Sequence, residues 1–155
     1  MSTPEQRLAD AGIELPEAPA PAAAYVPWRR SGDLVFTAGQ IPVRGGSPTI
    51  TGRLGEDVSL AQGQDAAREC AVNVLAQLKA AVGELTFITK LVKITVFVAS
   101  APEFTDQHLV ANGASELFAQ VLGEGCGSHA RSAVGVAVLP LGVPVEVEAV
   151  AQVEG

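Results

Sequence analysis

The chain has 155 residues, 48% of them apolar but only 5% aromatic, with 17 acidic against 10 basic side chains and a net charge of −7. Arg29-Arg30 is its one basic pair, so it lacks the cationic stripe that neutralises phosphates, which argues against nucleic acid as a partner. Charge or proline interrupts every apolar run before the ~18 residues of a spanning helix, and no basic segment leads into an apolar N-terminal core, so a cytoplasmic protein without a membrane partner is expected.

In chain order, Ser2 or Thr3 can cap a short helix with Pro4 in its first turn, running from Glu5 to Ala11 and stopped by Gly12. Pro16, Pro19 and Pro21 then make an extended stretch that cannot join a sheet centre. Residues 1–22 are thus a short helix and a proline-rich arm, and residues 23–155 a single domain. Ala23 to Arg30 and Leu34 to Ala38 flank Ser31-Gly32-Asp33 as a β-hairpin, with Pro27 placing the first strand at an edge. From Val43 to Gly55 Gly, Ser, Thr and Pro dominate, which predicts a surface loop.

Ser59-Leu60-Ala61-Gln62 is a capping box, followed at helical spacing by Ala67, Cys70, Ala71, Val74, Leu75, Leu78, Ala81 and Val82 up to Gly83. Cys70 falls on that apolar stripe as a small core residue, and Cys126 stands alone in Gly-Cys-Gly, so the two are expected as reduced thiols. Leu91 to Val98 is apolar and β-branched, the pattern of a strand buried on both faces. Ser100-Ala101-Pro102-Glu103 repeats the capping-box pattern before a second helix from about Thr105 to Leu122. A strand from Ser132 to Leu139 completes a crossover, which makes it parallel to its partner. Leu139 to Gly142 connects it to a last strand, Val145 to Ala151.

The order β-β-loop-α-β-α-β-β predicts an α+β domain with a mixed sheet and two helices on one face. In the last strand Val145, Val147 and Ala149 point one way and Glu146, Glu148 and Val150 the other. With the valines on the helices, the glutamates lie on a face that needs another surface to pack on. A charge at the mouth of so apolar a strand requires a partner, because an unpaired buried ion is very costly. Arg131 and Glu146 are therefore the leading candidates for function, whether they serve a ligand or an internal salt bridge. A tight hairpin about Pro140 would set Arg131 opposite residues near Val150; strands that are not neighbours would widen the gap to Glu146. The spacing suggests that a working pair of Arg131 and Glu146 comes from different subunits.

Three blocks carry a resemblance. Ala130-Arg131-Ser132-Ala133-Val134, then Leu139-Pro140, then Val145-Glu146-Val147-Glu148-Ala149 resemble the C-terminal signature of the YjgF/RidA family of reactive-intermediate deaminases, formerly filed under endoribonuclease L-PSP. Thr37-Ala38-Gly39-Gln40-Ile41-Pro42 is similar to the family's Ser-Gly-Gln-Ile-Pro block, and Lys90 to Val98 to its central strand. The resemblance spans Tyr25 to Gln152 in the right order. It implies a chorismate-mutase-like fold, a homotrimer with ligand clefts between subunits, and hydrolysis of small enamines or imines to 2-oxo acids and ammonia without a cofactor.

Carried over residue by residue, it makes Arg131 the group that grips a substrate carboxylate and Glu146 the one that positions or activates water. Tyr25, Ala38, Gly39, Asn112 and Ala133 fall at substrate-binding positions. Two are departures: the family's serine is Ala38 here, and a frequent cysteine is Ala133, so both positions lose side-chain hydrogen bonding and the pocket becomes drier. A trimeric binding protein for small carboxylates, without catalysis, is the second reading, and an endoribonuclease the third. No metal is expected, since Cys126 and His129 form a lone C-x2-H pair with His108 away in a helix. Gly45-Gly46 lacks the lysine of a phosphate loop.

Overall fold

The computed structural model describes residues 2–155. Of the two caps the sequence offers for the first helix, α1 (Pro4–Asp10), Thr3 serves: its hydroxyl accepts the Gln6 N–H, and the Gln6 side chain accepts the Thr3 N–H, which completes a capping box. It is docked on the body. Leu8 is buried, Arg7 Nε donates to Val121 O at 2.7 Å, and Glu5 accepts the Leu85 N–H at 2.7 Å.

One sheet contains β1 (Trp28–Ser31), β2 (Leu34–Thr37), β5 (Ile88–Ala99), β6 (Ala130–Val136) and β7 (Val145–Val153), in the order β1-β2-β7-β5-β6. β3 (Val43–Arg44) and β4 (Ser47–Pro48) make a small separate ribbon inside the expected surface loop. β5 and β6 are parallel across the helix α3 (Gln107–Leu122), and the other pairs are antiparallel. β7 lies between β2 and β5, so the hairpin alternative for the last two strands does not occur. Pro140–Gly142 forms a single 3-10 turn with Leu141 at φ 62°.

The long helix α2 (Leu60–Val82) and α3 cover one face of the sheet. Cys70, Val74, Leu75 and Leu78 of α2, with Val110, Leu117 and Phe118 of α3, meet Ile94, Val96 and Val98 of β5 and Val145, Val147 and Ala149 of β7 in one core. Each such aliphatic side chain, once buried, contributes about 1.5–3 kcal/mol. The two helices approach closely because Gly113 has no Cβ; one there would overlap the carbonyl oxygen of Gln64.

Four local expectations are revised. β1 begins at Trp28 instead of Ala23, because residues 23–26 bend away and the Pro27 carbonyl instead accepts the Ala38 N–H at 2.8 Å. β6 stops at Val136, whose carbonyl takes the Ser100 N–H at 3.0 Å, where its partner strand also ends. Ser100 caps nothing: its hydroxyl donates to Val98 O and accepts from Gln107 Nε2, and α3 begins only after Asp106, without a side-chain cap. Lastly, β5 is buried on the helix side, but Lys93 is exposed and Thr95 and Phe97 are half-buried, since the helices cover only one face.

Candidate active site

Arg131 pairs in register with Ile94 of β5, and Ile94 is buried beneath the helices, so the arginine leaves the sheet on the helix side at its outer edge. There it meets one face of α3, where His108, Asn112 and Ser115 stack at i, i+4 and i+7. Nη1 donates to Asn112 Oδ1 at 2.9 Å and to Ser115 Oγ at 3.0 Å, and Nη2 donates to His108 O at 3.1 Å. All three acceptors are neutral. Among the described residues no carboxylate pairs with Arg131. Of the five guanidinium donors, Nε–H and one Nη2–H remain unused, so the charge is fixed in place but uncompensated. Ala133, two residues along on the same side, pairs with Val96 and packs against the core.

Glu146 lies on the opposite face, where it pairs with Phe97. Burial pushes its carboxyl above the usual carboxylate range, and the like charge of Glu148 adds to the shift. No cation pairs with it among the described residues. Gly39 explains how the carboxylate fits, since a Cβ at that position would overlap the Glu146 side chain. Glu146, Gly39 and Tyr25 open into a cavity of about 1000 Å3, with Pro16, Pro19 and Pro21 of the arm as one wall. Ala38 adjoins Gly39 with both backbone groups engaged: its N–H goes to Pro27 O and its carbonyl accepts from Gln40 Nε2.

Buried amides of α2 hold this cavity in shape. Asn73 donates to Ile41 O at 2.9 Å and Val43 O at 3.2 Å, while Gln77 donates to Pro19 O at 2.8 Å and to Gln40 Oε1 at 3.3 Å. Sequence reasoning missed both residues. Each interrupts an apolar helix where a polar group has to find a partner, which is the signal that could have singled them out. It also missed Ser115, and it weighed His129 only as a metal ligand; the His129 ring is in fact hydrogen-bonded to Ser115. Cys70 is fully buried with its thiol on Val145 O, and burial pushes its pKa well up, which suits a packing role.

The candidate residues thus sort into two groups. Arg131, Asn112 and Ala133 lie at the β6 edge on the helix side, and Glu146, Gly39, Ala38 and Tyr25 gather around a cavity elsewhere. Arg131 is level with Ala149 across β5, three residues from Glu146 along β7. At about 3.4 Å per residue and about 4.8 Å per strand spacing, that is about 10 Å along and about 10 Å across, with the side chains on opposite faces. Within one chain they do not meet.

A mixed five-stranded sheet with two long helices on one face is the α+β architecture of the YjgF/RidA fold. Residues 15–153 match the family described as Endoribonuclease L-PSP, and the chain belongs to this YjgF/RidA family. Protein TCP17 of Trypanosoma cruzi is 48% identical over 147 residues, 95% of this chain and 90% of that protein. The 2-iminobutanoate/2-iminopropanoate deaminase of Salmonella typhimurium is 39% identical over 142 residues, covering 90% of this chain and 94% of the enzyme. The crystal structure of Atu1372, a protein of unknown function from Agrobacterium tumefaciens, matches with a TM-score of 0.91 at 49% identity, over 97% of this chain and 92% of that one. No helix is long and apolar enough among the described residues to cross a membrane.

Proposed function

We propose that the protein hydrolyses small enamine or imine intermediates to 2-oxo acids and ammonia, without a cofactor, in clefts between the subunits of a homotrimer. One observation carries the reading: Arg131 is immobilised by three neutral acceptors and left without a counter-ion. A guanidinium with two unused donors is a ready receptor for the carboxylate of a 2-imino acid, and each charge-assisted bond contributes about 1.5–3 kcal/mol. The Salmonella relative's name, a deaminase of two such imino acids, supports that ligand class.

The separation of the two residue groups supports a cleft built by two chains. Arg131 with Asn112 and Ala133 comes from one subunit; Glu146, Gly39, Ala38 and Tyr25 come from its neighbour. Phe36, Phe97 and Val134 on the sheet face away from the helices provide apolar surface for assembly. In the reaction, Glu146 takes a proton from water as the water oxygen bonds to the imine carbon, and the C=N electron pair moves onto nitrogen, which takes that proton from Glu146. The carbinolamine then collapses: its hydroxyl proton passes by way of Glu146 to the nitrogen as the C–N bond breaks, ammonia leaves, the C=O of the 2-oxo acid forms, and the Glu146 carboxylate is restored. The raised pKa of Glu146 brings its basicity closer to neutral pH, which suits a general base.

The test mixes purified protein with an imine freshly released by an amino-acid oxidase or a threonine dehydratase and follows its trapping by semicarbazide. Faster keto-acid formation, with less trapped semicarbazone, is the expected result. Equal rates with and without protein over several amino-acid precursors overturn the enzyme reading. The second reading, a carboxylate-binding trimer, is favoured by one feature: both backbone groups of Ala38 are already engaged and its methyl offers a ligand no hydrogen bond. It predicts a thermal shift with 2-oxo acids and no turnover.

A further inference from the structure

Arg131 does not end its network at Ser115. Ser115 Oγ lies 2.9 Å from His129 Nε2, and His129 Nδ1 lies 2.6 Å from the Gly127 carbonyl oxygen. The imidazole and the buried Phe118 ring form a T-shaped pair, with centroids 6.1 Å apart and planes at 80°. The proton assignments follow from the chemistry of the groups. Gly127 O can only accept, so His129 Nδ1 carries the proton. Arg131 Nη1 can only donate, so it takes a lone pair of Ser115 Oγ, and the hydroxyl proton is free to point at a bare Nε2. Every donor meets an acceptor from Gly127 through His129 and Ser115 to the guanidinium. Ser115 on α3 and His129, just ahead of β6, thereby tie α3 to the start of the strand that carries Arg131.

We propose that Ser115 and His129 are positioning residues for Arg131: they fix the angle of its guanidinium so that the two unused donors face an incoming carboxylate. This rests on the reading of Arg131 as the carboxylate receptor. A guanidinium on a flexible stem loses rotamer freedom when it grips a ligand, and a site that has already imposed one orientation binds more tightly. Asn112 and His108 O hold one edge of the group. Ser115 is the partner whose own direction is set by another side chain, so the orientation depends on His129.

The variants are Ser115→Ala, Ser115→Thr, His129→Phe and His129→Gln in the full chain. Phenylalanine keeps the packing on Phe118 and deletes the acceptor, whereas glutamine keeps an acceptor for the Ser115 hydroxyl. Calorimetric titration with 2-oxobutanoate is expected to show affinity weakened about tenfold in Ser115→Ala and His129→Phe. Ser115→Thr and His129→Gln should recover most of it, and kcat for imine hydrolysis should stay within about twofold while KM rises. NMR of the Arg131 guanidinium gives a readout that needs neither ligand nor turnover: rotation about its Cζ–Nε bond is expected to speed up in Ser115→Ala and His129→Phe and to stay slow in the conservative pair. Unchanged rotation in all four variants overturns the proposal, as does labelling of Ser115 by a fluorophosphonate, which would make it a nucleophile. If the wild-type protein neither binds 2-oxobutanoate nor hydrolyses imines, the carboxylate-receptor reading falls, while the rotation rates still decide whether Ser115 and His129 hold Arg131.

Discussion

If each cleft takes Arg131 from one chain and Glu146 from the next, two inactive variants mixed together must regain activity. Arg131→Ala removes two charge-assisted bonds of about 1.5–3 kcal/mol each, which at about 1.4 kcal/mol per tenfold lowers kcat/KM by about a hundredfold or more. Glu146→Gln removes the general base, an effect of about 10²–10⁴-fold. After co-refolding in equal amounts, each cleft draws independently on two neighbours of a cyclic ring. About one cleft in four then receives an intact Arg131 from a Glu146→Gln chain and an intact Glu146 from an Arg131→Ala chain. The mixture should reach about a quarter of wild-type activity, far above the sum of its parents. The assay is the semicarbazide competition, with native mass spectrometry to verify that chains have exchanged. Activity that stays at the parental sum in verified mixed rings refutes the two-chain cleft.

Three further predictions follow from the cavity side of the site. Glu148→Gln removes the like charge that adds to burial in raising the Glu146 pKa; since the base works deprotonated, activity climbs as pH rises through that pKa, and the acidic limb of kcat/KM should move to lower pH with the plateau preserved. An unmoved limb would count against Glu146 as the base. Gly39→Ala needs no strained backbone but drives a methyl into the Glu146 side chain, so kcat should fall at least about tenfold while stability changes by about 1 kcal/mol, the lower end of overpacking costs, as read by thermal melting. Gln77→Leu frees the Pro19 carbonyl from its buried donor, a loss of about 1–3 kcal/mol, and should expose the arm to limited proteolysis between residues 13 and 27. An arm as resistant as in wild type would mean that this tether does not hold it.

What the sequence made legible was local. Alternation in Val145 to Ala151 separated valines from glutamates without any knowledge of neighbours, because side chains on a strand alternate by geometry alone. The cap at Thr3, one of the two residues the sequence offered, and the capping box at Ser59 are events within four residues, and both formed. Ser100 failed although its pattern was the same, because its N–H was needed by Val136 on another strand and its hydroxyl by Val98 and Gln107. Sheet order was beyond reach for the same reason: inserting β7 between β2 and β5 is a pairing over more than a hundred residues for Leu34 and Gln152. Arg131 could be singled out as a charge in an apolar strand. Of its holders Asn112 was reached only through the resemblance, and Ser115 and His129 not at all, because they come from a helix face and the short segment before β6 that nothing in the sequence marks as adjacent.

If the proposed cleft draws on two chains, assembly and chemistry form a single equilibrium. A folded single chain holds two half-sites that cannot reach each other, so its activity should be near background at any concentration too low for association. Val134 offers a way to separate folding from association. It lies on the uncovered face, level with Phe97 and two strands from Glu146, and it is exposed in one chain. Val134→Asp should therefore cost the isolated fold little, but in an assembled interface it would bury a carboxylate near Glu146, at several kcal/mol for an unpaired ion. Light scattering should show the mass falling to that of one chain, with the circular dichroism spectrum retained and imine hydrolysis lost. A variant that becomes a single chain yet keeps full activity would mean that one subunit assembles the whole site, which the opposite faces of Arg131 and Glu146 forbid.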